Sequence, residues 1–406
     1  MKWIGAGEFS INVASGIFTL TIGKLLYDMT GQLWAFAGVF FVELLATMLL
    51  QGFSGSITDK FGPRKILLVS INTLTAVLLL LSLMSFLTNE NLYIFVAFAA
   101  AITISKPFTK NAVFTLIPSV VDKDNIEKLN AIISASLQSG QIFGLVVGGI
   151  ILSFESKQLI PSTITFFLFI SAVAYYIFFK QIDNNNRSDI ARTQREKKLN
   201  WRYTLKVIMS NPILMIALVI TTFDFMALGI FNLLLAPVVK YNFNNNTNWL
   251  LILELAFAFG AIITGAVASR VKINAEYKLL FTLLSSFSLM LFLSCYYFKL
   301  GSVATLLAIF LMGVSSTLSV VAWSATVQKL SDDKVRGKIS SIRLMLNTLL
   351  PAFVVLAVSA FYQSGGFKHA LLIALFGAML MVFVSISLII SDLYKVRKKV
   401  SVVGLP

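Results

Sequence analysis

The sequence predicts an all-α membrane protein of about twelve spanning helices, arranged as two pseudo-symmetric six-helix bundles. Three observations lead there. The 406 residues are 57% hydrophobic and only 13% charged, with a mean hydropathy of +0.85, whereas soluble domains carry about 25% charge. Apolar runs near the spanning length of about 20 residues recur between short polar breaks. Lys and Arg gather in alternate breaks, and the pattern of the first half returns in the second.

Taken in order, the first six spans are expected at Phe9 to Tyr27, Leu33 to Phe53, Ile66 to Leu87, Leu92 to Ile117, Leu129 to Phe154 and Ser162 to Phe179. The stretch Lys180 to Asn211 holds Asn184, Asn185 and Asn186, then Arg192, Arg195, Lys197 and Lys198, too many charges to cross a bilayer. It is the expected central linker, dividing the chain into bundles 1–180 and 212–406 around a cytoplasmic linker 181–211. Six more spans follow at Pro212 to Val239, Trp249 to Ser269, Tyr277 to Phe298, Val303 to Leu330, Ile339 to Tyr362 and Ala370 to Leu393.

Short loops rich in Lys and Arg stay cytoplasmic. The breaks after even-numbered spans hold Lys60, Arg64, Lys65, Lys123, Lys128, the linker cations, Arg270, Lys272, Lys334, Arg336 and Lys338, and the alternate breaks little beyond Lys157, Lys240, Lys299 and Lys368. Both termini are then cytoplasmic, in keeping with Lys395, Arg397, Lys398 and Lys399 in the tail, and the span count is even. Met1 to Gly7 leads into the first apolar run with no small-residue cleavage site, so that run is expected to be retained. The halves match at a shift of about 210 residues, a parallel repeat: Gly55 falls on Gly265, Asp59 on Ser269, and Asp122-Lys123-Asp124-Asn125 on Asp332-Asp333-Lys334-Val335.

Several functions are excluded. The net charge of +15 is scattered between apolar runs and forms no solvated stripe, so no nucleic-acid partner is expected. Cys295 is the one cysteine, which rules out an intrachain disulfide and a thiol-based metal site. No phosphate-binding G-x-x-x-x-G-K-[ST] run is present. The sole histidine, His369, has no nucleophile or orienting group to work with, so no enzyme and no cofactor are expected.

The strongest local signal is Gly55-Ser56-Ile57-Thr58-Asp59-Lys60-Phe61-Gly62-Pro63-Arg64-Lys65, between the second and third spans. Gly55 lets two helix ends approach, Gly62 permits a tight turn, and Asp59 can meet a helix N-terminus or a cation. The run resembles the G-x-x-x-D-[RK]-x-G-[RK]-[RK] signature of the major facilitator superfamily, with Pro63 inserted before the basic pair. That resemblance implies the major facilitator fold, secondary transport by alternating access, and a gating loop of Gly55, Asp59, Lys60, Gly62, Arg64 and Lys65. In it Asp59 would lock the cytoplasmic side of one conformer by facing the region Arg336 to Ser341. The second copy, Gly265 to Lys272, keeps the glycine and has Ser269 in place of the acid.

In the fifth span Gly140, Gly144 and Gly148 recur every fourth residue, followed by Gly149, a flat stripe suited to close helix packing. The stripe also resembles the fifth-helix antiporter motif ending G-P-x-x-G-G, with Leu145 in the proline place. Over most of its length the chain resembles the macrolide-efflux and siderophore-exporter branch of the superfamily. The resemblance lies in Tyr27-Asp28-Met29-Thr30-Gly31, in Leu116-Ile117-Pro118-Ser119-Val120-Val121 with Asn130-Ala131, and in Val335-Arg336-Gly337-Lys338. Many relatives carry an arginine in the fourth span, where this chain has Ile102, with Lys106 and Lys110 lower down. The resemblance implies a proton-coupled exporter, an antiporter, of amphipathic drugs or natural products. It would act as a monomer in the cell membrane, with protons, a small amphipathic substrate and the lipid bilayer as its partners. An importer of a small metabolite, or a lipid-translocating protein, would share most of these features.

A charge at mid-bilayer costs roughly 2.5 to 3.5 kcal/mol, so retained charges usually face a cavity or a partner. The candidates are Lys24, Glu43, Lys106, Lys110, Asp224 and Glu254. Asp224 stands near the middle of the seventh span and is the first choice for proton coupling or substrate binding, since burial disfavours a charged carboxylate. The alternative is an ion pair with Lys106 or Lys24. By the family resemblance the first, fourth, seventh and tenth spans line a central cavity, where Asp224, Lys24 and Lys106 would converge. Glu43 and Glu254 occupy pseudo-equivalent places, suited to a cationic substrate or to bracing a neighbouring helix. Lys110 and Arg343 are expected to reach the inner interface along their alkyl stems.

Overall fold

A computed structural model describes the backbone of residues 1–30, 33–87, 92–153, 159–184, 200–243, 248–271, 273 and 275–402, and their side chains apart from 20, 22–30, 33–44, 92, 153, 184 and 392–402. The described residues form α1 (Lys2–Thr30), α2 (Leu33–Phe61), α3 (Pro63–Leu87), α4 (Leu92–Val120), α5 (Ile126–Ser153), α6 (Leu159–Asn184), α7 (Trp201–Ser210), α8 (Pro212–Asn242), α9 (Asn248–Ala268), α10 (Lys278–Tyr297), α11 (Ser302–Leu330) and α12 (Arg336–Val402). Two single 3-10 turns, Lys123–Asn125 and Ala275–Tyr277, lead into α5 and α10. No strand occurs among the described residues, and eight of their helices are long and apolar enough to cross a membrane. The expected all-α membrane class is what the structure has.

Helices run past the expected spans where they leave the apolar zone, because backbone hydrogen bonding, not hydropathy, sets their ends. α2 continues beyond Phe53 to Phe61. It stops at Gly62, whose φ of 85° suits glycine alone and whose N–H reaches Thr58 O at 2.9 Å. Pro63 then opens α3 at the helical position where a missing N–H costs least. α12 spans the eleventh and twelfth expected segments and is broken between them at Gly366, with φ 74° and ψ −167°. The stretch assigned to the linker contains α7. Linker residues 185–199, with Arg192, Arg195, Lys197 and Lys198, lie outside the described residues, as do Gly31, Lys157 and Lys272 and the side chains of Lys24, Glu43 and the tail cations.

The chain forms two compact units. One comprises Met1–Met215 with Val327–Thr348. Here α1 packs on α5 and α6, and α3 on α4 and α6, around buried Val13, Phe18, Leu78, Phe95, Phe98 and Ile164. The α1/α5 contact is backbone on backbone. A Cβ at Gly144 would strike the Val13 carbonyl and lie 3.0 Å from Gly16 Cα, and a Cβ at Gly140 would strike the Phe9 carbonyl. In lipid such van der Waals packing, and not water exclusion, holds helices together. Gly148 is buried on the same stripe, whereas Gly149 faces open space.

The other unit comprises Ile216–Thr326 with Leu349–Pro406. Phe231 lies at its centre, its ring 5.8 Å from that of Phe257 on α9 and 5.4 Å from that of Phe292 on α10. Cys295 is buried in the same cluster. Gly260 on α9 and Gly313 on α11 repeat the close approach, since a Cβ on either would strike a carbonyl of the other helix.

Candidate functional site

The first unit holds a clasp around the loop motif. Asp59, in the last turn of α2, accepts hydrogen bonds from the backbone N–H groups of Gly337 at 2.6 Å and Lys338 at 3.1 Å, while Lys338 Nζ lies 3.0 Å from Oδ2. Both side chains are buried, Asp59 4% and Lys338 8% exposed. The two N–H groups belong to the first turn of α12, which offers them no acceptor within the helix and where the helix dipole also favours an anion. Glycine on both sides makes this possible: a Cβ on Gly55 would strike Ser341 Oγ and the Gly337 carbonyl, and one on Gly337 would lie 2.6 Å from Gly55 O.

The clasp is one contact of several that tie 327–348 into this unit. Ser341 donates to Gln51 O at 2.6 Å, and Asn111 on α4 donates to Ser341 Oγ at 3.1 Å and to Ser54 Oγ. Asn130 on α5 donates to Gln328 Oε1 at 2.7 Å, and Gln328 Nε2 to Phe114 O at 3.1 Å. Lys329 pairs with Glu127 at 2.6 Å. Arg343 is buried, with its guanidinium 4.8 Å from the Phe114 ring. The expectation that it reaches the interface is therefore corrected: its guanidinium is held against Phe114 of α4 inside the protein. The matched turns before α5 and α12 share one geometry, with Asn125 N–H on Asp122 O at 2.9 Å and Val335 N–H on Asp332 O at 3.1 Å.

The basic residues of the motif point elsewhere. Arg64 forms a bidentate pair with Asp183 at the end of α6, both contacts 2.6 Å, with the two side chains 39% and 42% exposed. Lys60 and Lys65 lie over the Phe61 ring at 4.8 and 5.5 Å.

In the second unit Asp224 is fully buried on α8. Its Oδ1 accepts the Ser285 hydroxyl and its Oδ2 the Ser319 hydroxyl, each at 2.7 Å. Ser319 lies 3.1 Å from Thr282 Oγ1, which accepts Trp323 Nε1–H at 2.7 Å, and Ser288 meets Ser315 at 3.2 Å. Three helices, α8, α10 and α11, thus place a carboxylate in a cage of hydroxyls. Hydroxyls both donate and accept, so the cage can satisfy an ionised or a protonated carboxyl.

Lys106 is half-buried, 5.4 Å from the Phe18 ring, in the other unit from Asp224. Glu254 is exposed on α9. Lys24 and Glu43 have no described side chains. A further buried acid stands just before the first expected span. Glu8 is buried on α1, where its carboxylate accepts the Tyr175 hydroxyl and lies 3.5 Å from Asn12 Nδ2. Gly7 leaves room for that ring, since a Cβ there would come within 2.8 Å of it. Sequence reading passed over Glu8 by starting the first span at Phe9. The Asn12 one turn along the same face was the available signal.

A family model described as Major Facilitator Superfamily matches residues 4–355. The uncharacterized MFS-type transporter YfmI of Bacillus subtilis (strain 168) is 20% identical over 360 residues, 87% of each chain. Among solved structures, a bacterial homologue of the iron transporter ferroportin in its outward-facing state superposes with a TM-score of 0.72 at 17% identity, covering 95% of this chain and 98% of that one. The human organic anion transporter MFSD10 (TETRAN) gives 0.72 at 14% identity with the same coverage. At these identities the structural likeness speaks to the fold.

Proposed function

Because the chain belongs to the Major Facilitator Superfamily, and so is a multi-pass membrane protein and a secondary transporter working by alternating access, we propose that it is a proton-coupled exporter of amphipathic drugs or natural products. The observation that carries this reading is the Asp224 cage, a fully buried carboxylate with hydroxyl partners on two other helices. Such a site accommodates both protonation states, as proton exchange requires. Asp59, bound to the first turn of α12, is the gate, closing the basic face of one conformer and releasing it in the other. The direction of transport rests on the resemblance to the macrolide-efflux and siderophore-exporter branch. The same reading places the protein in the cell membrane as a monomer with both termini inside.

Everted vesicles test it with a panel of a macrolide, ethidium, an organic anion and ferrous iron, the last two chosen from the names of the structural relatives. An inside-acid gradient drives accumulation of the amphipathic compounds, nigericin collapses it, and Asp224→Asn abolishes it. Accumulation of iron or the organic anion alone, or uptake indifferent to the gradient, would replace this reading. Unchanged accumulation in Asp224→Asn would remove that residue from coupling.

A further inference from the structure

The helix α7 has two faces, and the transport cycle described above uses neither. Its inner face is fixed to the first unit: Thr204 and Ile208 are buried, the Trp201 ring lies 3.5 Å from where a Cβ on Gly52 would stand, and the Tyr203 hydroxyl donates to Asp332 Oδ2 at 3.2 Å. That carboxylate raises the pKa of the Tyr203 phenol above its ordinary value. Its outer face is of mixed chemistry. Leu205 and Met209 are 51% and 76% exposed, one turn apart, and beside them on the same side stand the exposed cations Arg202 and Lys206. On such a face the apolar side chains can enter the boundary between headgroups and acyl chains while the cations reach the headgroups along their alkyl stems.

Position supports this more strongly than composition. Between the end of α7 at Ser210 and the start of the spanning helix α8 at Pro212 there is a single residue, Asn211. Asn211 makes the corner in extended conformation, with φ −119° and ψ 91°. Its N–H closes α7 on Ile208 O at 3.2 Å, and its Oδ1 accepts Leu214 N–H at 3.1 Å to open α8. A helix joined to a span through one residue cannot move away from the membrane surface. By the charge pattern of the short loops, its two cations stand at the cytoplasmic end of α8, where the leaflet carries anionic lipid.

We propose that the outer face of α7 is a docking surface for anionic phospholipid, with Arg202 and Lys206 on the headgroup phosphates and Leu205 and Met209 among the first carbons of the acyl chains. The bolted inner face holds these four side chains in one orientation before lipid arrives. Two cations near an anionic surface favour the docked state about thirtyfold over a neutral one. This inference needs only the membrane embedding and stands whether or not the exporter reading holds.

The test uses the full chain in the Cys295→Ser background with Ser210→Cys carrying the environment-sensitive fluorophore NBD, in vesicles of phosphatidylcholine alone or mixed equally with phosphatidylglycerol. In the mixed vesicles the emission shifts to the blue and brightens, high salt reverses the change, and Arg202→Gln with Lys206→Gln removes it. Met209→Ser weakens it without altering its salt dependence. Emission that stays red in both lipids, as for a face left to water or to a soluble protein, would overturn the proposal. So would a blue shift equal in both lipids, or one that survives the paired charge substitutions. Gel filtration of each variant shows that the chain is folded, and Tyr203→Phe, which leaves the outer face intact, keeps the lipid response.

Discussion

Asp59→Asn removes the charge from the clasp while keeping its shape. In the parent the carboxylate accepts two backbone N–H bonds at 2.6 and 3.1 Å and faces Lys338 Nζ at 3.0 Å, with both side chains nearly closed to water. The amide keeps one acceptor, turns an NH2 group toward a donor, and leaves a buried ammonium without its counter-charge. Hydrogen bonds to charged groups contribute about 1.5 to 3 kcal/mol, and removing one partner of a buried pair costs about 3 to 5 kcal/mol. The two figures describe one group and do not add. Part of the loss is recovered when the clasp opens and Lys338 meets water, so about 3 kcal/mol is the working value, roughly a hundredfold in the ratio of clasped to unclasped protein. Spin labels at Lys60→Cys and Lys334→Cys, both exposed in the parent, report the ratio by pulsed electron resonance in the Cys295→Ser background. The parent shows one short distance, and Asp59→Asn adds a longer population that becomes the major one. Superimposable distributions, with the variant folded, would refute the reasoning.

The remaining predictions follow from the same contacts. Gly337→Ala places a methyl 2.6 Å from Gly55 O and opens the clasp as Asp59→Asn does with no change of charge, read by the same labels. Gly144→Ala forces α1 from α5 and lowers the melting temperature, the cost of overpacking being about 1 to 3 kcal/mol, whereas Gly149→Ala, with nothing within 4 Å, leaves it unchanged. Arg64→Gln breaks a half-exposed pair with Asp183, so it lowers the melting temperature only slightly at low salt and not at all at high salt, where exposed pairs are screened, as thermal melts in low and high salt will show. Ser285→Ala and Ser319→Ala each destabilise the parent by about 1 to 3 kcal/mol, and both effects shrink in Asp224→Asn, the non-additivity expected of groups in contact.

The fold was readable because a bilayer imposes one strong rule: a span must be apolar and helical. The run of apolar helices and the break near Gly366 were visible on that basis, and the turn at Gly62 from glycine's backbone freedom. Hydropathy does not report helix ends, however, since helices continue into water wherever backbone bonds can. That is why α2 reaches Phe61 and α1 begins at Lys2, bringing Glu8 inside. It is also why α7 went unnoticed: its Trp201, Thr204 and Ile208 repeat at helical spacing, but ten residues with two cations carry no spanning signal.

The site was legible one residue at a time. Asp224 stood out as an acid in an apolar run, yet its serine partners lie 61 and 95 positions away, beyond any local pattern. A weaker sign existed in Thr282, Ser285 and Ser288 on α10 and in Ser315 and Ser319 on α11, polar residues spaced three or four apart that line one helix face. Asp59 met its partners 278 and 279 positions on, and only the family resemblance pointed there. Arg343 was misjudged because closeness to a span end says nothing of which side the residue faces.

Proteoliposomes loaded with the dye pyranine put the central claim to the most direct test. When a transported compound from the panel is added outside, with no gradient imposed, a proton antiporter moves protons against the compound and the lumen turns alkaline. The account predicts that change for the parent and none for Asp224→Asn. Compound entering with no movement of protons, or protons moving equally in Asp224→Asn, would contradict it.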